Sequence, residues 1–180
     1  MNRIPVRRLA LLGLLAAVYA ALTLGLAPIS YGALQLRISE ALCILPYFFP
    51  GSAWALFAGC LLANLLGPSA GVLDIVFGSL ATLLAGLCTA AIGRGGDRRS
   101  WLRCAAACLM PVLFNAVIVG AVIAYATFWN TVVSAPFWLI FLGDAASVGA
   151  GELVVLFVLG LPLTRWLPKS GFFGWLKERL

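Results

Sequence analysis

Four carboxylates, Glu40, Asp74, Asp144 and Glu152, stand inside stretches that are otherwise almost unbroken apolar sequence, and Arg37 lies at the mouth of one of them. Asn64 and Asn115 add two amides in the same kind of setting. A charge within an apolar span costs about 2.5–3.5 kcal/mol to insert, so each one is a functional candidate by default. Asp144, Ser147, Val148, Gly151 and Glu152 follow the i, i+3, i+4, i+7, i+8 spacing that holds residues on one side of a helix. Gly143, Gly149 and Gly151 thin that helix, so a ligand or another backbone can approach closely. Two plainer readings stand beside a binding cavity. Arg37 and Glu40, at i and i+3, can satisfy each other with Ser39 as a cap, and Asp144 or Glu152 can serve only to pair with Arg37 or to end a broken helix.

Several chemistries are excluded. The chain has no histidine, which removes Ser-His triads, His-ligated zinc and histidine proton relays. Cys43, Cys60, Cys88, Cys104 and Cys108 each fall in apolar runs and form no C-x-x-C pair. Cys104 and Cys108 share a helix face but lack His or acidic partners, so the cysteines read as structural thiols, with no metal site and no cofactor. No G-x-x-x-x-G-K-[ST] occurs, so uphill transport by this chain needs a partner or an ion gradient. Asp74 and Asp144 are two membrane carboxylates on separate helices, which raises an intramembrane aspartyl protease. The G-x-G-D pattern and a Tyr before Asp74 are both missing, and the chain is not read as an enzyme.

The elements that must position these residues follow from composition. The 180 residues are 63% hydrophobic and only 10% charged, against about 25% charged in soluble domains. The fold class is an all-α integral membrane bundle of about six transmembrane helices, forming a single domain over 1–180. The spans are residues 9–26, 38–49, 52–66, 72–92, 102–128 and 137–163. The second and third are short and break at Pro50-Gly51, and 29–36 reads as a loop. The first run can imitate a signal peptide but lacks a clean cleavage site and is read as a retained helix.

Charge tests the count. Eleven of the twelve basic residues fall in three blocks, Arg3/Arg7/Arg8, Arg94/Arg98/Arg99/Arg103 and Arg165/Lys169/Lys177/Arg179. Six spans put all three blocks and both termini on the cytoplasmic side, whereas five put the basic tail opposite the basic N-terminus. The positive charge is therefore topological and not a nucleic-acid footprint. External loops are then 27–37, 67–71 and 129–136, with Trp129 and Trp138 at the outer interface and Trp101, Trp166 and Trp175 at the inner one. The tail 169–180 suits either a short amphipathic segment on the inner leaflet or a frayed basic end. In this frame Glu40, Asp74, Asn64 and Asp144 lie toward the outer half, Asn115 near the middle and Glu152 deeper, so most of the set can converge on an outward-facing cavity.

In the first span Ala16, Ala17, Ala20 and Ala21 make two overlapping A-x-x-x-A steps. Such steps let helices pack closely, either within the bundle or against another membrane subunit.

The segment Ile29-Ser30-Tyr31-Gly32-Ala33-Leu34-Gln35-Leu36-Arg37-Ile38-Ser39-Glu40-Ala41-Leu42 resembles the signature of the QueT family. So do Asn64, the stretch Asp74-Ile75-Val76-Phe77-Gly78-Ser79-Leu80-Ala81-Thr82, and Gly151-Glu152-Leu153 followed by Gly160-Leu161-Pro162. The resemblance covers nearly the whole chain. It implies a six-helix substrate-binding S component of an energy-coupling factor (ECF) transporter, which docks on a shared transmembrane coupling subunit with two ABC-type ATPases. It implies uptake of queuosine precursors, 7-deazaguanines such as preQ1, preQ0 or queuine, and it moves Ala16, Ala17, Ala20 and Ala21 toward docking. The chemistry is compatible. Carboxylates accept guanine-like N–H groups, amides match mixed edges, and an aminomethyl cation favours Glu or Asp. Substrate contacts are then expected from Arg37, Glu40, Asn64, Asp74, Phe77, Asn115, Asp144, Ser147 and Glu152, with Phe77, Tyr31, Trp129 or Tyr125 available to stack on the ring. Another vitamin or purine-like base, or an ion-coupled carrier acting alone, is the competing transport reading.

Overall fold

A computed structural model describes residues 5–31, 35–68, 71–95, 100–131, 135–171 and 174. Parts of the basic blocks (Arg3, Arg98, Arg99, Lys177, Arg179), Trp175 and most of the 169–180 tail lie outside the described residues.

Every element among the described residues is helical. Helix α1 is Val6–Gly25 and runs into Leu26, where Pro28 cannot continue its hydrogen-bond ladder. The chain does not go straight into a loop there. Pro28 sits in the first turn of a new four-residue helix, α2 (Ala27–Ser30), a position that needs no N–H. The second apolar segment, Ile38–Tyr47, is a 3-10 helix. It leads through Phe48–Gly51 into α3 (Ser52–Leu66). Three long helices follow: α4 (Asp74–Arg94), α5 (Trp101–Asn130) and α6 (Phe137–Lys169). With α1 they are the four helices long and apolar enough to cross a membrane; Ile38–Tyr47 and α3 are shorter apolar helices.

The 3-10 helix is the axis of the bundle and packs against α1, α3, α4, α5 and α6. Runs of 3-10 geometry beyond three or four residues are uncommon. Here Pro46 removes a backbone donor, and the side chains from Ser39 to Tyr47 are buried except for Leu42. The tighter winding rises ~2.0 Å per residue against ~1.5 Å in an α-helix, so ten residues reach about 20 Å. Ile44, Leu45, Tyr47, Phe48 and Phe49 pack onto Cys104, Ala107, Cys108 and Val112 of α5 and onto Leu156, Leu161 and Leu167 of α6.

Small residues set the helix spacing. A Cβ on Gly59 of α3 would stand 2.6 Å from the Ala16 carbonyl oxygen of α1, and one on Gly120 of α5 2.7 Å from Ala145 Cα of α6. The outer surface is apolar, with Leu14, Trp54, Leu65, Leu113, Val117, Leu142, Val154 and Val158 all exposed. Trp129 and Trp138 are exposed near one end of the bundle and Trp101 and Trp166 near the other, the pattern of residues that anchor at membrane interfaces. This is a multi-pass membrane bundle.

Candidate binding site

Three of the long helices each contain one five-residue π-helical segment: Asp74–Gly78 in α4, Asn115–Val119 in α5 and Leu156–Gly160 in α6. Such segments appear mostly as single insertions and often at functional sites. The first two begin at polar candidates, Asp74 and Asn115, and the third begins four residues after Glu152.

The buried polar set has two lobes. In the first, Arg37 is 3% exposed and its Nη2 lies 3.9 Å from Asp74 Oδ2. Its guanidinium carbon sits 5.1 Å from the Tyr31 ring centroid, a cation–π arrangement, and its Nε donates to the Ser30 carbonyl at 3.5 Å. Tyr31 in turn donates its hydroxyl to the Ala63 carbonyl at 2.9 Å and reaches Asn64 Oδ1 at 3.4 Å. The Asn64 amide closes the lobe by donating to the Asp74 carbonyl at 3.1 Å. Gly78 makes this closure fit, since a Cβ there would lie 2.8 Å from Asp74 Oδ1 and 3.0 Å from Asn64 Nδ2. The start of α4, the end of α3 and the segment after α2 are thus joined by one polar knot.

In the second lobe, Glu40 on the 3-10 helix accepts the Tyr19 hydroxyl from α1 and the Cys43 thiol at 2.8 Å. Ser39 Oγ and Thr23 Oγ1 share a hydrogen bond at 2.6 Å one step away. Across the bundle, the Asn115 amide donates to Glu152 Oε1 at 3.0 Å, while Glu152 Oε2 is buried with no hydrogen-bond partner among the described residues. Glu152 lies within electrostatic range of both Glu40 and Arg37, which brings the lobes together.

Sequence reasoning named most of these groups but paired them differently. Arg37 takes Asp74 as its ion partner, and Glu40 turns to Tyr19 and Cys43, so the local Arg37–Glu40 pair is replaced by contacts across helices. Ser39 bonds Thr23, and no side-chain cap starts its helix. The inward face of α6 is as the spacing predicts: Val148, Gly151 and Glu152 are buried, and Asp144 and Ser147 are half-buried. Asp144 Oδ2 is shielded and has no hydrogen-bond partner among the described residues. Phe77 is 45% exposed and faces outward, because Asp74 and Gly78 take the inner side of that turn. Tyr125 and Trp129 are also exposed, in a ring cluster with Phe128 and Phe137. Of the four aromatic candidates only Tyr31 joins the polar set.

The alanines of α1 divide. Ala16 and Ala20 are buried, with Ala16 against Gly59 of α3, while Ala17 and Ala21 are exposed on the outer surface. Tyr19, Thr23 and Cys43 are the polar partners that sequence reasoning missed. Each is ordinary in an apolar span, and only the carboxylates they serve would have pointed to them.

The described residues form an apolar multi-pass bundle that encloses charged and amide side chains, the architecture of a polytopic membrane protein with a polar interior. The profile of the QueT transporter family matches residues 9–169, and the chain belongs to that family. It is similar to the queuosine precursor transporter QueT of Lactococcus lactis subsp. cremoris (strain MG1363), with 37% identity over 75 residues. That alignment takes in 41% of this chain and 43% of the relative, so the chain spans less than half of the relative it matches. No solved structure matches the chain.

Proposed function

We propose that this protein is the substrate-binding S component of an energy-coupling factor uptake system whose cargo is a queuosine precursor, a 7-deazaguanine base. The observation that carries this reading is the buried polar set of Arg37, Glu40, Asn64, Asp74, Asn115 and Glu152 inside the bundle of a QueT family member. Its mixture of guanidinium, carboxylate and amide suits the mixed donor and acceptor edges of a guanine-like ring. Tyr31 is the aromatic closest to that set. Asp144 and Ser147 extend it along α6.

The basic blocks favour an orientation with both termini in the cytoplasm of a cell membrane protein, so the end bearing Tyr31 and Arg37 faces outside. Cargo enters there, and reorientation of the bundle driven by the partner releases it inside. In this reading the partner is a shared module of a transmembrane coupling subunit and two ABC-type ATPases, which fits a chain that carries no P-loop of its own. On α1 the exposed Ala17 and Ala21 are the half of the alanine face open to such a subunit.

Calorimetric titration of the purified protein with deazaguanine bases, guanine and riboflavin tests the cargo. Saturable binding of a deazaguanine, weakened by Arg37→Gln or Glu40→Gln, is the expected result. No binding to folded, monodisperse protein overturns it. Uptake in cells that survives loss of the ATPases points instead to a solo carrier.

A further inference from the structure

Within the buried polar set the described residues place three carboxylates, Glu40, Asp74 and Glu152, against a single cation, Arg37. The partners differ. Asp74 has the Arg37 ion pair, and Glu40 has an oxygen on Tyr19 and the other on Cys43. Glu152 is 2% exposed, receives one neutral donor from Asn115 at Oε1, and presents Oε2 with no hydrogen-bond partner among the described residues. The charged groups within its electrostatic range are Glu40, of the same sign, and Arg37, which is taken up by Asp74. A buried carboxylate in that position lacks a cationic N–H donor, the kind of group that forms the stronger charge-assisted hydrogen bonds.

We infer that Glu152 is the charge-reading residue of the site, and that it selects cargo carrying a protonated amine over an otherwise identical neutral base. The inference rests on the deazaguanine reading above and adds to it the charge class of the cargo and the residue that reads it. Asn115 fixes one oxygen of Glu152 and leaves the other without a hydrogen-bond partner among the described residues, open to a donor that the cargo brings. The ring edge is left to the Arg37, Asn64 and Asp74 lobe. A primary amine, charged at neutral pH, donates to Glu152 Oε2, whereas a nitrile at the same place brings neither a proton nor a charge.

The test titrates full-length protein with two 7-deazaguanines that differ only in the 7-substituent, aminomethyl or nitrile, against wild type and Glu152→Gln. Wild type is expected to bind the aminomethyl base at least about tenfold more tightly. In Glu152→Gln that ratio falls toward one because the amine loses much more affinity than the nitrile does. Equal affinities in wild type overturn the inference while leaving the deazaguanine reading intact, and this holds even if the variant fails to fold. A preference that survives in folded Glu152→Gln also overturns it. Binding of neither base overturns the cargo reading and this inference with it.

Discussion

Asn115 and Glu152 stand 37 residues apart in sequence, and the Asn115 amide donates to Glu152 Oε1 at 3.0 Å in the middle of the bundle. The contact ties α5 to α6 at a point where α5 enters its π-helical segment. A π segment holds an extra residue in the turn, which changes the direction of the side chains on either side of it. Here that change coincides with the residue that must face α6.

Replacing Asn115 by Leu leaves the Glu152 carboxylate buried without its donor. A buried polar group stripped of its partner costs about 1–3 kcal/mol, more when charged. Asn115→Leu is therefore expected to lower the thermal unfolding temperature in detergent. Asn115→Leu paired with Glu152→Leu should recover part of that loss, since the orphaned group goes as well. A double variant no more stable than the worse single one would show that the pair does not share an energy.

The Arg37–Asp74 pair makes a sharper case because both groups are charged. Removing one partner of a buried ion pair costs about 3–5 kcal/mol, mostly from the charge left behind. Arg37→Gln should be strongly destabilising. Arg37→Lys should recover little, since Lys keeps the charge but lacks the planar guanidinium that stacks on Tyr31 and reaches Ser30. Arg37→Gln with Asp74→Asn should be milder than Arg37→Gln alone. Unfolding of the three variants by heat or denaturant in the same detergent checks the order.

Much of this architecture is legible in the sequence because the membrane imposes a coarse rule. Residues 52–66, 72–92, 102–128 and 137–163 read as apolar runs and become α3, α4, α5 and α6 with ends shifted by a few residues. Glu40, Asp74 and Glu152 stand out because charge in such runs is costly. The 3-10 geometry of Ile38–Tyr47 is hidden, since Pro46 announces a break in an α-helix but not the tighter winding of the whole segment. The π segments leave no mark in composition. Ala16 and Ala17 are one position apart, and at about 100° per residue the sequence cannot assign one to the bundle and the other to its surface. Phe77 fails as a ring partner for a related reason: Asp74 and Gly78 take the inner side of the turn it shares.

Tyr19 supplies Glu40 with a donor from α1, so it links the first helix to the central 3-10 helix. Tyr19→Phe removes one hydroxyl and little volume. The expected cost is about 1–3 kcal/mol, the penalty for a buried acceptor left short of a donor. Glu40→Gln, which needs less from that hydroxyl, should reduce the cost of Tyr19→Phe when the two are combined. Thermal unfolding of the four-member cycle measures the coupling, and additive effects would dispose of it.

The division of the α1 alanines yields a prediction that separates folding from assembly. Ala16 meets Gly59 of α3 so closely that a Cβ on the glycine would lie 2.6 Å from the Ala16 carbonyl oxygen. Ala16→Leu must force α1 from α3 and drag Tyr19, three residues on, away from Glu40. Overpacking of this kind costs about 1–3 kcal/mol, so the unfolding temperature should fall. Ala17 is exposed, and Ala17→Leu adds only apolar surface to an apolar face, with an expected change within about 0.5 kcal/mol. If the outer face of α1 docks the coupling subunit, Ala17→Leu and Ala21→Leu should still bind cargo but fail to co-purify with that subunit. Ala16→Leu should lose stability first, and partner binding only as a consequence. A folded Ala17→Leu protein that co-purifies as well as wild type would move the docking surface to another helix.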